Sequence, residues 1–214
     1  MPKVRFVFVG EGSSDTGLVS LLEDLCVRCG ADEVAGVAPD LRVLPRPPGN
    51  AVSEKARAAL SLEPTANLLF IQRDADSRDP GPRYEEIERE TENLPRNIAI
   101  VPIVPVQELE AWLLLDEAAI RLVSNNPRGR QQLDLPAANE IENIADPKAR
   151  LADILVKASA ARGGRLAKFR QAFPRHRQRL LEMLSADGTI QNVRSWQRMV
   201  HDLKEALQET LEDH

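Results

Sequence analysis

The sequence predicts an α/β protein: a Rossmann-like, mostly parallel sheet of about four strands flanked by helices, then a helical C-terminal region. Three observations carry this. Val4 to Val9 and Asn67 to Gln72 are apolar, β-favouring runs with almost no polar interruption, the pattern of strands buried on both faces. Helix-periodic segments lie between such runs, and strands alternating with helices imply parallel pairing. From about Asn125, where Pro127, Gly129 and Pro136 break up the chain, no strand pattern returns. The boundaries expected are an α/β segment over 1–125 and a basic helical segment over 126–214.

Val4 to Val9 reads as a central strand, ending in Gly10-Glu11-Gly12-Ser13-Ser14-Asp15. A serine cap and a helix follow, with Leu18, Leu21, Leu22, Leu25, Cys26 and Cys29 as its apolar stripe. That stripe makes the Cys-x-x-Cys core packing; zinc would need two more ligands, and the histidines lie far along the chain. The two glycines do not make a dinucleotide fingerprint, because Asp15 stands where a third small residue belongs and Glu11 would repel a pyrophosphate. Asp40 to Leu44 is the expected second strand, running into Pro45-Arg46-Pro47-Pro48-Gly49-Asn50, which no regular element tolerates. Val52 to Leu62 reads as a helix, Asn67 to Gln72 as the third strand and Tyr84 to Asn93 as a charged, exposed helix. Ile98 to Val104 is the fourth strand, and Pro102 sets it at an edge or near its end. Val106 to Leu115 is the expected next helix, with Glu108 and Glu110 in its first turn. Later helices are marked by Leu151, Ile154, Leu155 and Ala158, by Leu180, Leu181 and Leu184, and by Trp196, Met199, Val200, Leu203 and Leu207.

Composition narrows the class. With 214 residues, 43% of them hydrophobic, the chain can bury a sizeable core. No apolar run approaches the ~18 residues of a membrane span, and Met1 to Phe6 passes straight into a strand pattern without signal-peptide organisation. A cytoplasmic protein with no membrane partner is expected. The net charge of −5 conceals polarity: between Pro147 and Lys204 thirteen basic residues face four acidic ones. That segment carries +9 and the remainder −14, an acidic body and a basic tail.

The acids gather where strands end. Asp74 and Asp76 follow the third strand, and residues two apart on an extended backbone turn to the same side. At ~4 Å and an effective dielectric of ~20, two carboxylates repel by about 4 kcal/mol, so a divalent cation is the economical counterion; the plainer alternative is a solvated turn. Glu11 stands at the end of the first strand, and Asp15 either joins the cluster or favours a helix N-terminus. Glu108 and Glu110 follow the fourth strand, and either could supply a further ligand. Arg73 and Arg78 flank the acids, placed to contact a phosphate or to neutralise the cluster. In the tail, Lys148, Arg165, Lys168, Arg170, Arg175, Arg177 and Arg179 are candidate contacts to a DNA or RNA backbone.

Val9-Gly10-Glu11-Gly12-Ser13-Ser14-Asp15 resembles the Glu-Gly turn of the Toprim (topoisomerase–primase) domain, and Asp74-Ala75-Asp76 resembles its Asp-x-Asp motif. The stretch from Pro105 to Leu114 is similar to the bacterial domain of unknown function 4276, itself similar to the nuclease part of OLD (overcoming lysogenization defect) proteins. The resemblance covers roughly Lys3 to Asp116. It implies Mg²⁺- or Mn²⁺-dependent phosphodiester chemistry, in phage defence or repair. Glu11 would be a metal ligand or general acid/base, Asp74 and Asp76 the metal-binding pair, and Glu108 or Glu110 a further acid, with Asp15 available for a second metal. The ATPase domain of OLD proteins has no counterpart here, which implies intrinsic activity or a separate ATPase partner. Tyr84, the only tyrosine, stands in no topoisomerase-like context. Two other readings stay open: a phosphatase or phosphotransferase with Asp74 as nucleophile, and a non-catalytic nucleic-acid- or protein-binding subunit of a defence complex.

Overall fold

The computed structural model describes residues 3–12 and 14–212; Ser13, expected in the turn after the first strand, and His214 lie outside them. Four strands, β1 (Lys3–Val9), β2 (Glu33–Val37), β3 (Leu68–Gln72) and β4 (Ala99–Ile103), form one parallel sheet in the order β2-β1-β3-β4. The α/β class and the parallel sheet are therefore as expected, and β4 with its Pro102 is an edge strand.

Side-chain alternation along the strands divides the core in two. Val4, Phe6, Phe8, Leu68, Phe70, Val101 and Ile103 point to one face and join the larger cluster. Val7, Val9, Leu69 and Ile71 point to the other, where α2 (Val52–Leu62) and α3 (Gly81–Thr91) cover them with Val52, Ala56, Ala59 and Ile87. The first face is covered by α1 (Val19–Arg28), α4 (Glu110–Leu113), α5 (Glu117–Val123) and helices from the tail: α6 (Pro147–Ser159), α8 (Phe173–Met183) and α9 (Arg194–Glu212). A short exposed helix, α7 (Gly164–Gln171), lies between α6 and α8. Among the described residues every element after residue 125 is helical. The tail does not stand apart: Trp196 of α9 meets Trp112 of α4 edge to face, centroids 5.3 Å apart, and the Trp112 indole donates to Ser195 Oγ at 3.1 Å. Cys26 is buried and Cys29 half-buried, both free thiols on the α1 stripe.

Two expected elements are corrected. The second strand is 33–37, not 40–44; Leu41–Val43 is a 3₁₀ turn, because the Asp40 carboxylate accepts from Arg42 N at 3.0 Å and starts it. Within β2, Gly36 is required by close approach, since a Cβ there would lie 2.0 Å from the Phe6 ring. The helix expected over 106–115 is only Glu110–Leu113. Gln107 adopts a left-handed conformation (φ 62°), which holds Glu108 off the helix in a turn and leaves Glu110 at its start.

Because both segments share one core, Trp196→Ala should cost about 3–5 kcal/mol. Wild-type urea unfolding should give coincident transitions by tryptophan fluorescence and far-UV circular dichroism. Two separated transitions would show body and tail unfolding independently.

Candidate functional site

The chain leaves β1 towards β2 on one side and returns to β3 on the other, so the sheet's switch point lies between the carboxyl ends of β1 and β3, where open α/β sheets place their ligands. Glu11 and Asp74 stand there. Gln72, buried at the end of β3, accepts from Glu11 N through Oε1 (2.9 Å) and donates through Nε2 to Asp74 Oδ1 (2.9 Å). Asp74 N in turn donates to Glu11 Oε2 at 2.9 Å. The strand ends are thus tied across the switch point by side chains.

Around this junction a cleft of about 290 Å³ is lined by Glu11, Asp15, Asp74, Glu108 and Glu110, with Lys148 and Arg177 on its tail-facing wall. Each acid has one oxygen pinned. Asp15 Oδ2 accepts from Gly12 N (2.7 Å), Asp74 Oδ1 also from Leu109 N (3.0 Å), and Glu108 Oε2 from Lys148 N (3.1 Å). Glu110 Oε1 accepts from Arg177 Nε at 2.8 Å. The second oxygens of Glu11, Asp74, Glu108 and Glu110 take no hydrogen bond from the described residues. Asp15 Oδ1 is 2.8 Å from Arg177 Nη1, an ion-pair contact without hydrogen-bond alignment, since Nη1 donates to Ser14 Oγ at 2.8 Å.

Crowding of like charge shows in the titration. Burial, then Glu110, Glu11 and Asp15, push Asp74 up to about 8. Burial and Glu110 also raise Glu108. Burial works against the Arg177 charge, but Glu110 and Asp15 outweigh it and hold the guanidinium above its ordinary range.

Asp76 is not where the Asp-x-Asp spacing places it. β3 ends at Gln72, and Asp76 sits in a left-handed turn (φ 52°), so the same-side rule for extended chain does not apply. Its exposed carboxylate pairs with Arg83 at 2.6 Å and does not line the cleft. The basic candidates also divide. Arg177 is buried in the acidic cleft and offers no surface contact. Arg73 is largely covered, 3.4 Å from Glu86 and 3.9 Å from Glu11, on the neutralising side of the choice open to it. Arg78, Lys148, Arg165, Lys168, Arg170, Arg175 and Arg179 are exposed, Arg179 pairing with Glu182. Sequence reasoning missed Gln72, Arg83, and Lys55, whose ammonium bonds the carbonyls of Gly10 and Glu11. For Arg177 a signal existed: it falls three and four residues before Leu180 and Leu181, on the apolar stripe of α8.

Among the described residues no group of three or more His, Cys, Asp or Glu side chains is placed to hold a metal ion. No protein-family model matches the chain, and neither a curated protein nor a solved structure does.

Two outcomes follow from this arrangement. A carboxyl whose folded pKa is raised stabilises the fold most below its unfolded value of about 4 and loses that contribution as pH rises towards 8. Asp74→Asn keeps an acceptor for Leu109 N, so its melting temperature should gain on wild type steadily from pH 4 to pH 8; a constant difference would show that Asp74 is not strained. Arg177→Met strands Glu110 and Asp15 and should cost about 3–5 kcal/mol, with partial recovery on adding Glu110→Gln, measured by urea denaturation.

Proposed function

We propose that the protein is a Mg²⁺- or Mn²⁺-dependent, Toprim-type nuclease that hydrolyses phosphodiester bonds in DNA or RNA. The observation that carries the reading is the group of five carboxylates at the switch-point edge, four of them with one oxygen pinned and the other open. An all-oxygen donor set suits a hard divalent cation, and Mg²⁺ commonly takes one or two carboxylates with water and substrate phosphate completing its shell. An open site of this kind fits that habit. One or two of Glu11, Asp74 and Glu108 are the ligand candidates, with water and substrate phosphate supplying the rest, because Arg177 already engages Glu110 and Asp15. A bound cation would polarise the phosphoryl oxygen and make its water a nucleophile near neutral pH.

The chain's own groups do the rest. Asp74 holds a proton near neutrality and releases it when a cation competes for the site. Gln72 and Leu109 N fix its carboxyl orientation. Lys148, at the rim, draws a phosphate towards a cleft whose other groups would repel it. The exposed Arg165, Lys168, Arg170 and Arg175 extend positive charge along α7 and the start of α8 for the rest of the backbone.

Plasmid, linear duplex, single strands and structured RNA incubated with Mn²⁺ or Mg²⁺ test the reading. Cleavage should require metal, fall at least about 100-fold in Asp74→Asn, the scale of a lost acid–base group, and survive in Asp76→Asn. Metal-independent cleavage, or Asp74→Asn as active as wild type, would overturn it.

A further inference from the structure

Beside the acidic cleft, on the other side of the Glu11 turn, lies a larger cavity of about 450 Å³. Glu11 and Gly12 line both. Phe8 at the end of β1 backs the cavity, and Leu41, Pro39, Pro47 and Pro48 wall it from the loop after β2. That loop is tied down at three places: Asp40 starts its 3₁₀ turn, Gly49 N donates to Glu54 of α2 at 2.7 Å, and the Asn50 carbonyl is 3.5 Å from Arg73 Nη1. Proline has no N–H and a fixed φ, so Pro39, Pro47 and Pro48 present stiff apolar rings, while Asp40, Arg42 and Asn50 bring polar groups to the same lining. At the shared rim, Lys55 Nζ donates to the Gly10 and Glu11 carbonyls at 3.3 and 3.0 Å. An ammonium has three donors, and the third is left for an anion.

We propose that this cavity is a nucleobase pocket, receiving the base of the nucleotide next to the phosphate in the acidic cleft, with Lys55 pairing to a phosphate at the rim. The proposal rests on the nuclease reading for its substrate class and adds where that substrate's base goes. Size and chemistry select this occupant. The volume falls within the ~300–1,000 Å³ of small-molecule sites. A sugar carries hydroxyls around its ring and has no flat apolar face to lay on the proline rings. A planar base instead lays its faces on apolar walls and keeps its polar edge at the mouth, and the shared rim puts its phosphate beside Lys55.

Nucleoside 5′-monophosphates, ribose 5-phosphate and inorganic phosphate, titrated into the full chain by calorimetry or heteronuclear NMR, decide the matter. The nucleotides should bind at least about tenfold tighter than ribose 5-phosphate, the scale of one stacked base. Asn50 is exposed and its side chain makes no hydrogen bond among the described residues. Asn50→Trp, which fills the cavity from its mouth, should lose that margin and keep wild-type Mn²⁺ affinity. Lys55→Met should weaken nucleotide and ribose 5-phosphate alike. Equal binding of nucleotide and ribose 5-phosphate by wild type, or unchanged nucleotide affinity in Asn50→Trp, would overturn the pocket. Failure of the nuclease reading registers separately, as base-dependent binding without metal-dependent cleavage.

Discussion

The ion pairs of Arg177 with Glu110 and Asp15 are the constraint on which the rest depends. Glu110 and Asp15 are almost wholly buried, 2% and 3% exposed, and each would repel its acidic neighbours by about 4 kcal/mol at ~4 Å and a dielectric of ~20. A sheet edge carrying five carboxylates needs an internal cation to pack, and that cation comes from the tail. Leu180 and Leu181 seat α8 in the common core and thereby fix where Arg177 stands. The basic segment is therefore part of the acidic site.

The cleft keeps its charge unresolved in a second way. Arg177 neutralises two acids, the raised Asp74 is protonated near neutral pH, and Glu11 and Glu108 keep open oxygens towards the cleft. The cleft is thus a partly discharged array of carboxyl groups. Lys55 bonds the carbonyls of the Glu11 turn, and burial and Arg73 lower its pKa. Positive charge thus approaches the acids from both core faces of the sheet.

Much of this was legible in the residues, for definite reasons. β1 and β3 announce themselves because central parallel strands must be apolar on both faces, and β4, at the edge, because Ala99 to Ile103 is apolar throughout. β2 does not: it is an edge strand, exposed or half-buried along its whole length, with Gly36 where a side chain would strike Phe6. Asp40 to Leu44 alternates like a strand, yet the Asp40 carboxylate turns it into 3₁₀ geometry. Glu11 and Asp74 follow from strand ends. Asp76 fails because spacing rules assume a backbone that has left the extended region there. Arg177 looked like one arginine among many, and only its position on the apolar stripe of α8 set it apart.

The edge-to-face contact of Trp112 and Trp196 also has a consequence for biosynthesis. One face of the sheet is finished by β4, but the helix that covers it begins at Arg194. At usual ribosomal speeds of ~5–20 residues per second, roughly 5–20 s pass between them. Throughout that interval Val101, Ile103 and Trp112 lack the α9 side chains that pack against β4 and α4. In a nascent chain that apolar face stays uncovered until α9 emerges, and slow codons between β4 and α9 would lengthen its exposure.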